Sequence, residues 1–133
     1  MAENASVSEH DVCVVGLGYV GLTLATAFAM AGLRVVGVER NADVLETVNA
    51  GATPFHENGL EDAVSQVVRE GLLSAVHPAD AAPRAAAYVI TVGTPLRDGQ
   101  VQQGDIESAL RSVAEWMPDG ALTVLRSTVR VGT

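Results

Sequence analysis

The sequence predicts an α/β fold of the Rossmann type, in which a doubly wound, mainly parallel sheet carries helices on both faces. Short β-branched runs alternate along the chain with segments whose apolar residues recur at helical spacing. This alternation indicates parallel strands joined by right-handed crossovers. The first apolar run also leads into a glycine-rich loop that opens a helix. Since ligands of such sheets bind at the carboxyl ends of the strands, a binding site is expected at this loop.

The elements follow one another along the whole chain. Strands are predicted at residues 11–15, 34–39, 72–77, 88–92 and 122–126. Helices are predicted at about residues 19–31, from Asn41 to a stop at Gly51, from a capping box of Asn58 and Glu61 to near Gly71, and from Asp105 to Met117. A polar loop, residues 93–104, leaves the carboxyl end of the fourth strand. Residues 1–10 are interpreted as a polar tail and residues 11–133 as one domain.

The composition excludes several classes of protein. With 8 basic and 16 acidic residues among 133, the net charge is -8, which argues against binding to nucleic acid or to an anionic membrane surface. All basic residues are arginines, so no lysine chemistry is available. The single cysteine, Cys13, excludes an intrachain disulfide and a cysteine-rich zinc site, and it is expected to be an inert thiol within a buried strand. No metal-ligand spacing is present, so no metal is predicted.

Residues 12–33 carry no charge, and a membrane-spanning helix needs ~20 apolar residues. The stretch nevertheless contains four glycines and changes from a β-branched run to good helix formers, and residues 33–38 are again β-branched. We therefore interpret it as strand, loop and helix. The N-terminus has no basic start before an apolar stretch, so no secretory signal is predicted and the cytoplasm is the expected compartment.

Gly16, Gly18 and Gly21 form a G-x-G-x-x-G motif between a predicted strand and a predicted helix, the context that the dinucleotide-binding fingerprint requires. Gly16 permits a tight turn, Gly18 lets the backbone approach a diphosphate, and Gly21 allows close packing of the helix on the strands. At the helix N-terminus, Tyr19 and Val20 would offer N–H groups to the phosphates. The alternative is a glycine-rich turn that serves packing only.

Glu39 follows Gly21 by 18 residues, at the end of the second predicted strand. Its carboxylate can accept hydrogen bonds from the adenosine ribose hydroxyls and would repel a 2′-phosphate, which favours NAD over NADP. The adjacent Arg40 weakens this preference, because an arginine at this place can bind a 2′-phosphate.

Four blocks of sequence together resemble the UDP-glucose/GDP-mannose dehydrogenase family, from about residue 12 to residue 133. They are VVGLGYVGL (14–22), GATPFHENGLED (51–62), ITVGTPL (90–96) and LRSTVRVGT (125–133). The first block is shared by many dehydrogenases, whereas the other three in this order are more specific. The resemblance implies the N-terminal NAD-binding domain of a longer, three-part enzyme.

In that family, an NAD-dependent enzyme oxidises the C6 alcohol of a UDP- or GDP-sugar to the uronic acid in two hydride transfers. The resemblance implies that Thr94 and Thr128 line the nicotinamide side of the cofactor, and that Thr128 helps to position the reacting group or a water. It places the catalytic cysteine and lysine beyond this chain, which is expected to bind NAD without turning over substrate. The parent enzyme is expected to be a homodimer whose partner is a nucleotide sugar.

The chain departs from the family pattern at several positions. Gly93 stands where proline usually precedes the Thr-Pro pair, and Arg130 replaces another usual proline. Glu39 replaces the commoner aspartate, and Val44 stands where a basic residue is frequent. These differences bear on cofactor affinity more than on family membership.

Two other functions stay open from the sequence. One is the NAD domain of a β-hydroxyacid-type dehydrogenase, which shares the first block but is not expected to have the Ser-Thr-Val block at residues 127–129. The other is a non-catalytic NAD-sensing module. Without the resemblance, Thr94 and Thr128 are better interpreted as polar caps of strand ends. His56 beside Glu57 is better interpreted as part of a loop than as an acid–base pair.

Overall fold

The computed structural model describes residues 10–55, 57–79, 84–91, 96–97, 100–101, 111 and 120–125. The strands are β1 (His10–Val15), β2 (Val35–Val38), β3 (Leu73–Val76), β4 (Ala85–Ile90), β5 (Leu96–Arg97), β6 (Gln100–Val101) and β7 (Leu122–Leu125). The helices described over their full length are α1 (Tyr19–Met30), α2 (Ala42–Asn49) and α3 (Leu60–Arg69).

Five strands form one parallel sheet in the order β3-β2-β1-β4-β7, which confirms the predicted Rossmann-type fold. The order reverses beside β1, because β2 lies on one side of it and β4 on the other. At the carboxyl end of β1, Val15 is level with Val38 of β2 and Ile90 of β4. The glycine loop therefore leaves the sheet at the point where such folds bind their ligands.

The central strand is buried on both faces, which explains its continuous apolar run. Val12 and Val14 pack into a core cluster that also takes buried residues from α1, α2 and α3. Cys13 and Val15 face a second cluster with Tyr88. The helix predicted over residues 105–117 lies outside the described residues except for Arg111, which is helical.

Cys13 is fully buried, and its desolvation raises the pKa of the thiol to about 12. This position confirms the expectation of a buried core thiol, and the thiolate, which is the reactive form of cysteine, is disfavoured there.

Residues 12–33 form the end of β1, the glycine loop, α1 and a turn into β2. Within the described ranges, no helix has the length and apolar character that a membrane crossing needs. The interpretation as strand, loop and helix is confirmed.

Two predicted details were wrong, and two short strands were missed. The capping box does not form: the N-cap residue of α3 is Gly59, in the left-handed conformation with φ 80°, and no side chain caps that helix. The fourth strand begins at Ala85 instead of residue 88, because its alanines pair with β1 despite their low intrinsic strand preference. Within the predicted loop of residues 93–104, β5 and β6 pair as a short antiparallel ribbon.

At the edge of the described sheet, the side chain of Asn49 takes the place of a neighbouring strand. Its Nδ2 donates to the carbonyl oxygen of Ala75, and its Oδ1 accepts from the N–H of Ala75, both at 2.9 Å. Such a contact satisfies exposed strand groups that could otherwise pair with another chain.

Replacing Asn49 with Ala is expected to lower the free energy of unfolding by about 1 kcal/mol, the usual net size of such hydrogen bonds. This loss is expected even though alanine has the higher helix propensity. Urea denaturation followed by circular dichroism measures the change. The matched control is Glu46→Ala on the exposed surface of the same helix, which is expected to change stability by less than about 0.5 kcal/mol. Equal stabilities of the two variants would contradict the role of Asn49.

Candidate functional site

The glycine loop turns sharply out of β1. Gly16 has φ 95°, a conformation that favours glycine, and its N–H donates to the carbonyl oxygen of Val38 at 2.8 Å. The next side chain, Leu17, is fully buried and lies over Gly37 of β2, where a Cβ would overlap its methyl groups. The loop is therefore attached to β2 by a backbone hydrogen bond and by an apolar contact.

The other two glycines of the motif have opposite surroundings. A Cβ on Gly21 would overlap the backbone carbonyl of Gly16 and the hydroxyl of Thr91. A Cβ on Gly18 would meet no atom of the described residues within 4 Å, and Gly18 is exposed. Gly21 thus permits close packing between helix and strand, whereas Gly18 leaves open space above the start of α1.

Within the described ranges, no acidic side chain caps the start of α1. Its N-cap residue, Gly18, makes no side-chain capping bond, and its first turn contains no acidic residue. By contrast, Asp43 lies in the first turn of α2, and Glu61 and Asp62 lie in that of α3. The free N–H groups and the partial positive charge at this end of α1 suit a phosphate group.

Glu39 links the end of β2 to the glycine loop. Its Oε1 accepts from the N–H of Leu17 at 2.8 Å, and its Oε2 accepts from the N–H of Asn41 at 2.9 Å. Asn41 in turn caps α2 with its side chain, as predicted. An ionised carboxylate has about four acceptor positions, so each oxygen of Glu39 can still accept a hydroxyl. The next residue, Arg40, is exposed.

Tyr19 and Val20 are both exposed at the start of α1. The Tyr19 hydroxyl donates to Oε1 of Glu57 at 3.2 Å, and its ring packs against Phe55 with centroids 5.3 Å apart. The negative charge of Glu57, together with this hydrogen bond, raises the pKa of Tyr19 above its ordinary value. The segment between α2 and α3 therefore contacts the first residue of α1 beside the candidate site.

Thr91 is a site residue that sequence reasoning missed. It follows β4 directly, and its hydroxyl donates to the carbonyl oxygen of Gly16 at 2.7 Å. The sequence signal was a single polar residue at the end of an apolar run, next to the point where the strand order reverses.

Three residues singled out from the sequence, Thr94, Thr128 and His56, lie outside the described residues. Their predicted roles, including that of Thr128 in positioning the reacting group, stay predictions. Among the residues that the structure describes, no group of three or more histidine, cysteine or acidic side chains could hold a metal ion.

Residues 10–133 match the UDP-glucose/GDP-mannose dehydrogenase family, NAD binding domain. The chain belongs to this family. It is 39% identical over 127 residues to UDP-N-acetyl-D-mannosamine dehydrogenase from Yersinia pestis, a match that covers 95% of this chain and 30% of that protein. The enzyme of the same name from Escherichia coli strain K12 is 37% identical over 128 residues, covering 96% of this chain and 30% of that protein.

Solved structures of the family have the same fold. UDP-D-ManNAc dehydrogenase from Pyrococcus horikoshii superposes with a TM-score of 0.85 at 32% identity, covering 92% of this chain and 29% of that one. GDP-mannose dehydrogenase from Pseudomonas aeruginosa, solved as a ternary complex, gives a TM-score of 0.81 at 30% identity, with 92% and 29% covered. The chain thus spans about 30% of the length of the curated relatives it matches.

The family match shows that the cofactor of this domain is NAD. The described residues fit that cofactor, because Gly18 leaves space for a diphosphate at an uncapped helix start and Glu39 presents a carboxylate at the end of β2. The match also favours this family over the β-hydroxyacid-type dehydrogenases.

Proposed function

We propose that this chain is the NAD-binding part of a nucleotide-sugar 6-dehydrogenase, which oxidises the C6 alcohol of a UDP- or GDP-sugar to the uronic acid in two hydride transfers. The single observation that carries the assignment to this site is the open, uncapped start of α1 at Gly18, with the carboxylate of Glu39 bonded to the same loop. Relatives named as UDP-N-acetyl-D-mannosamine dehydrogenases support a UDP-linked N-acetylhexosamine as the first substrate to test.

Each residue of the site has a defined part in this proposal. The N–H groups of Tyr19 and Val20 bind the diphosphate at the start of α1, where Gly18 allows the close approach, Gly16 makes the turn and Gly21 lets the helix pack against that turn. NAD, when bound, accepts the hydride from the substrate carbon.

The adenosine and nicotinamide ends of the cofactor have separate partners. Glu39 accepts the ribose hydroxyls of the adenosine, and its charge disfavours a 2′-phosphate even with Arg40 beside it. By the family resemblance, Thr94 and Thr128 lie at the nicotinamide side, and Thr128 positions the reacting group or a water.

The wider organisation is proposed from the resemblance and from the length of the relatives. The cofactor domain, predicted to span residues 11–133, begins one residue earlier, at His10 of β1, behind a polar tail. The catalytic cysteine and lysine belong to later parts of the enzyme. The parent enzyme is a cytoplasmic homodimer that acts on nucleotide sugars and has no nucleic-acid or membrane partner. The chain alone binds NAD without turning over substrate.

Replacing Glu39 with Ala is expected to weaken NAD binding at least about tenfold, since hydrogen bonds to a charged group contribute roughly 1.5–3 kcal/mol each. Titration calorimetry of this chain with NAD measures the affinity, and NADP is expected to bind more weakly than NAD. Glu39→Gln should be intermediate, because the amide keeps one acceptor oxygen.

Because Glu39 also binds the loop backbone, thermal melting of each variant establishes that it is folded at the titration temperature. Glu46→Ala removes the same charge from an exposed position of α2 and should bind NAD like the original chain. Tighter binding of NADP than of NAD would assign control of the ribose site to Arg40. Undiminished NAD binding by Glu39→Ala would refute the proposed ribose contact. NADH formation from a nucleotide sugar by this chain alone would refute the proposal that catalysis needs the later parts of the enzyme.

A further inference from the structure

Thr91 connects the two strands between which the sheet order reverses. It follows Ile90, the last residue of β4, and its N–H donates to the carbonyl oxygen of Val15 at 2.9 Å. This bond joins the residue after β4 to the last residue of β1, so it closes the pairing of the two strands at their carboxyl ends. The side chain of Thr91 is consequently held at the base of the glycine loop.

The hydroxyl of Thr91 contacts the glycine loop as well as β1. It lies 2.7 Å from the carbonyl oxygen of Gly16 and 3.1 Å from that of Val15. A hydroxyl has one proton to donate, so the shorter contact, to Gly16, is the principal bond. Gly16 is the residue whose φ of 95° turns the chain out of β1. The bond therefore acts on the conformation of the turn itself.

The same oxygen also lies against the first turn of α1. A Cβ on Gly21 would come within 2.5 Å of the Thr91 hydroxyl oxygen, so the hydroxyl fills the space between the loop and the helix. Val14 and Leu22, before and after the motif, are fully buried. Among the described residues, Thr91 just after β4 and Glu39 just after β2 each make a polar side-chain contact with the backbone of the glycine loop.

We propose that Thr91 is a positioning residue of the cofactor site, whose hydroxyl holds the glycine loop in the conformation that binds the NAD diphosphate. This inference rests on the proposed function. Without the hydroxyl, the loop samples other conformations, and NAD binding must restore the ordered one at a cost in affinity.

Thr91→Val removes the hydroxyl while keeping the branched shape of the side chain. Titration calorimetry is expected to show NAD affinity about fivefold lower, in line with the loss of one hydrogen bond. Thr91→Ser keeps the hydroxyl and should bind within about twofold of the original chain. In the absence of NAD, hydrogen–deuterium exchange of the peptide covering residues 16–20 should be faster in Thr91→Val.

The matched control is Thr26→Val. Thr26 is buried in α1, and its hydroxyl donates to the carbonyl oxygen of Leu22 at 2.8 Å, so this variant also loses a hydroxyl-to-carbonyl bond but leaves the loop unchanged. It should bind NAD like the original chain, at a temperature where circular dichroism shows all variants folded.

Three results would overturn the inference. The first is unchanged NAD affinity and unchanged exchange in Thr91→Val, and the second is a lower melting temperature of Thr91→Val with unchanged NAD affinity. The third is a loss of NAD affinity in Thr91→Ser as large as that in Thr91→Val. If the original chain binds no NAD, the proposed function fails, and the exchange data alone decide whether Thr91 orders the loop.

Discussion

Replacing Gly21 with Ala is expected to lower the free energy of unfolding by about 3 kcal/mol or more. The new Cβ would overlap the carbonyl group of Gly16, which is backbone and is itself held by the Thr91 hydroxyl. Overpacking of a tight core costs about 1–3 kcal/mol when side chains can move, and here a backbone turn must move. Thermal melting should show a midpoint about 10 °C lower.

Gly18→Ala is the matched control, because it adds the same methyl group to the same motif. Gly18 has open space around it and an ordinary φ of -74°. The substitution therefore costs only the difference in N-capping preference between glycine and the less favourable alanine, up to about 1 kcal/mol. If Gly21→Ala melted at the same temperature as Gly18→Ala, the close contact between α1 and the turn would not govern stability.

The same Gly18→Ala variant is expected to weaken NAD binding at least about tenfold, an effect of about 1.4 kcal/mol or more. The methyl group would occupy the space through which the diphosphate approaches the backbone. Titration calorimetry measures the affinity at a temperature where the variant is folded. The two glycine variants should therefore separate the motif's contribution to stability from its contribution to binding.

Glu46→Ala, far from the loop in sequence and exposed on α2, serves again as the control for handling and concentration errors. Normal NAD binding by Gly18→Ala would show that the diphosphate does not approach this part of the backbone. If Gly18→Ala lost both its stability and NAD binding, Gly18 would be a packing residue like Gly21.

Much of the fold could be predicted because its information is local. The apolar run before Gly16 and the helix formers after Gly21 define β1 and α1 within two dozen residues, and Asn41 caps α2 as its residue type indicates. Where local preferences conflicted with distant pairing, prediction failed. The alanines that open β4 are strand residues because β1 lies beside them. A local prediction failed as well, since Gly59 and not Asn58 is the N-cap residue of α3.

The sequence by itself determined the alternation of strands and helices, the dinucleotide motif with Glu39 at its expected distance, and the family to which the chain belongs. Only the tertiary structure showed that Thr91 bonds to Gly16 and that Asn49 covers the edge of β3. These contacts join residues 75 and 26 positions apart in the chain. The type of a residue and its neighbours in sequence determine its local conformational preference. A side-chain hydroxyl or amide bonds to a distant backbone group only where packing brings the two segments together.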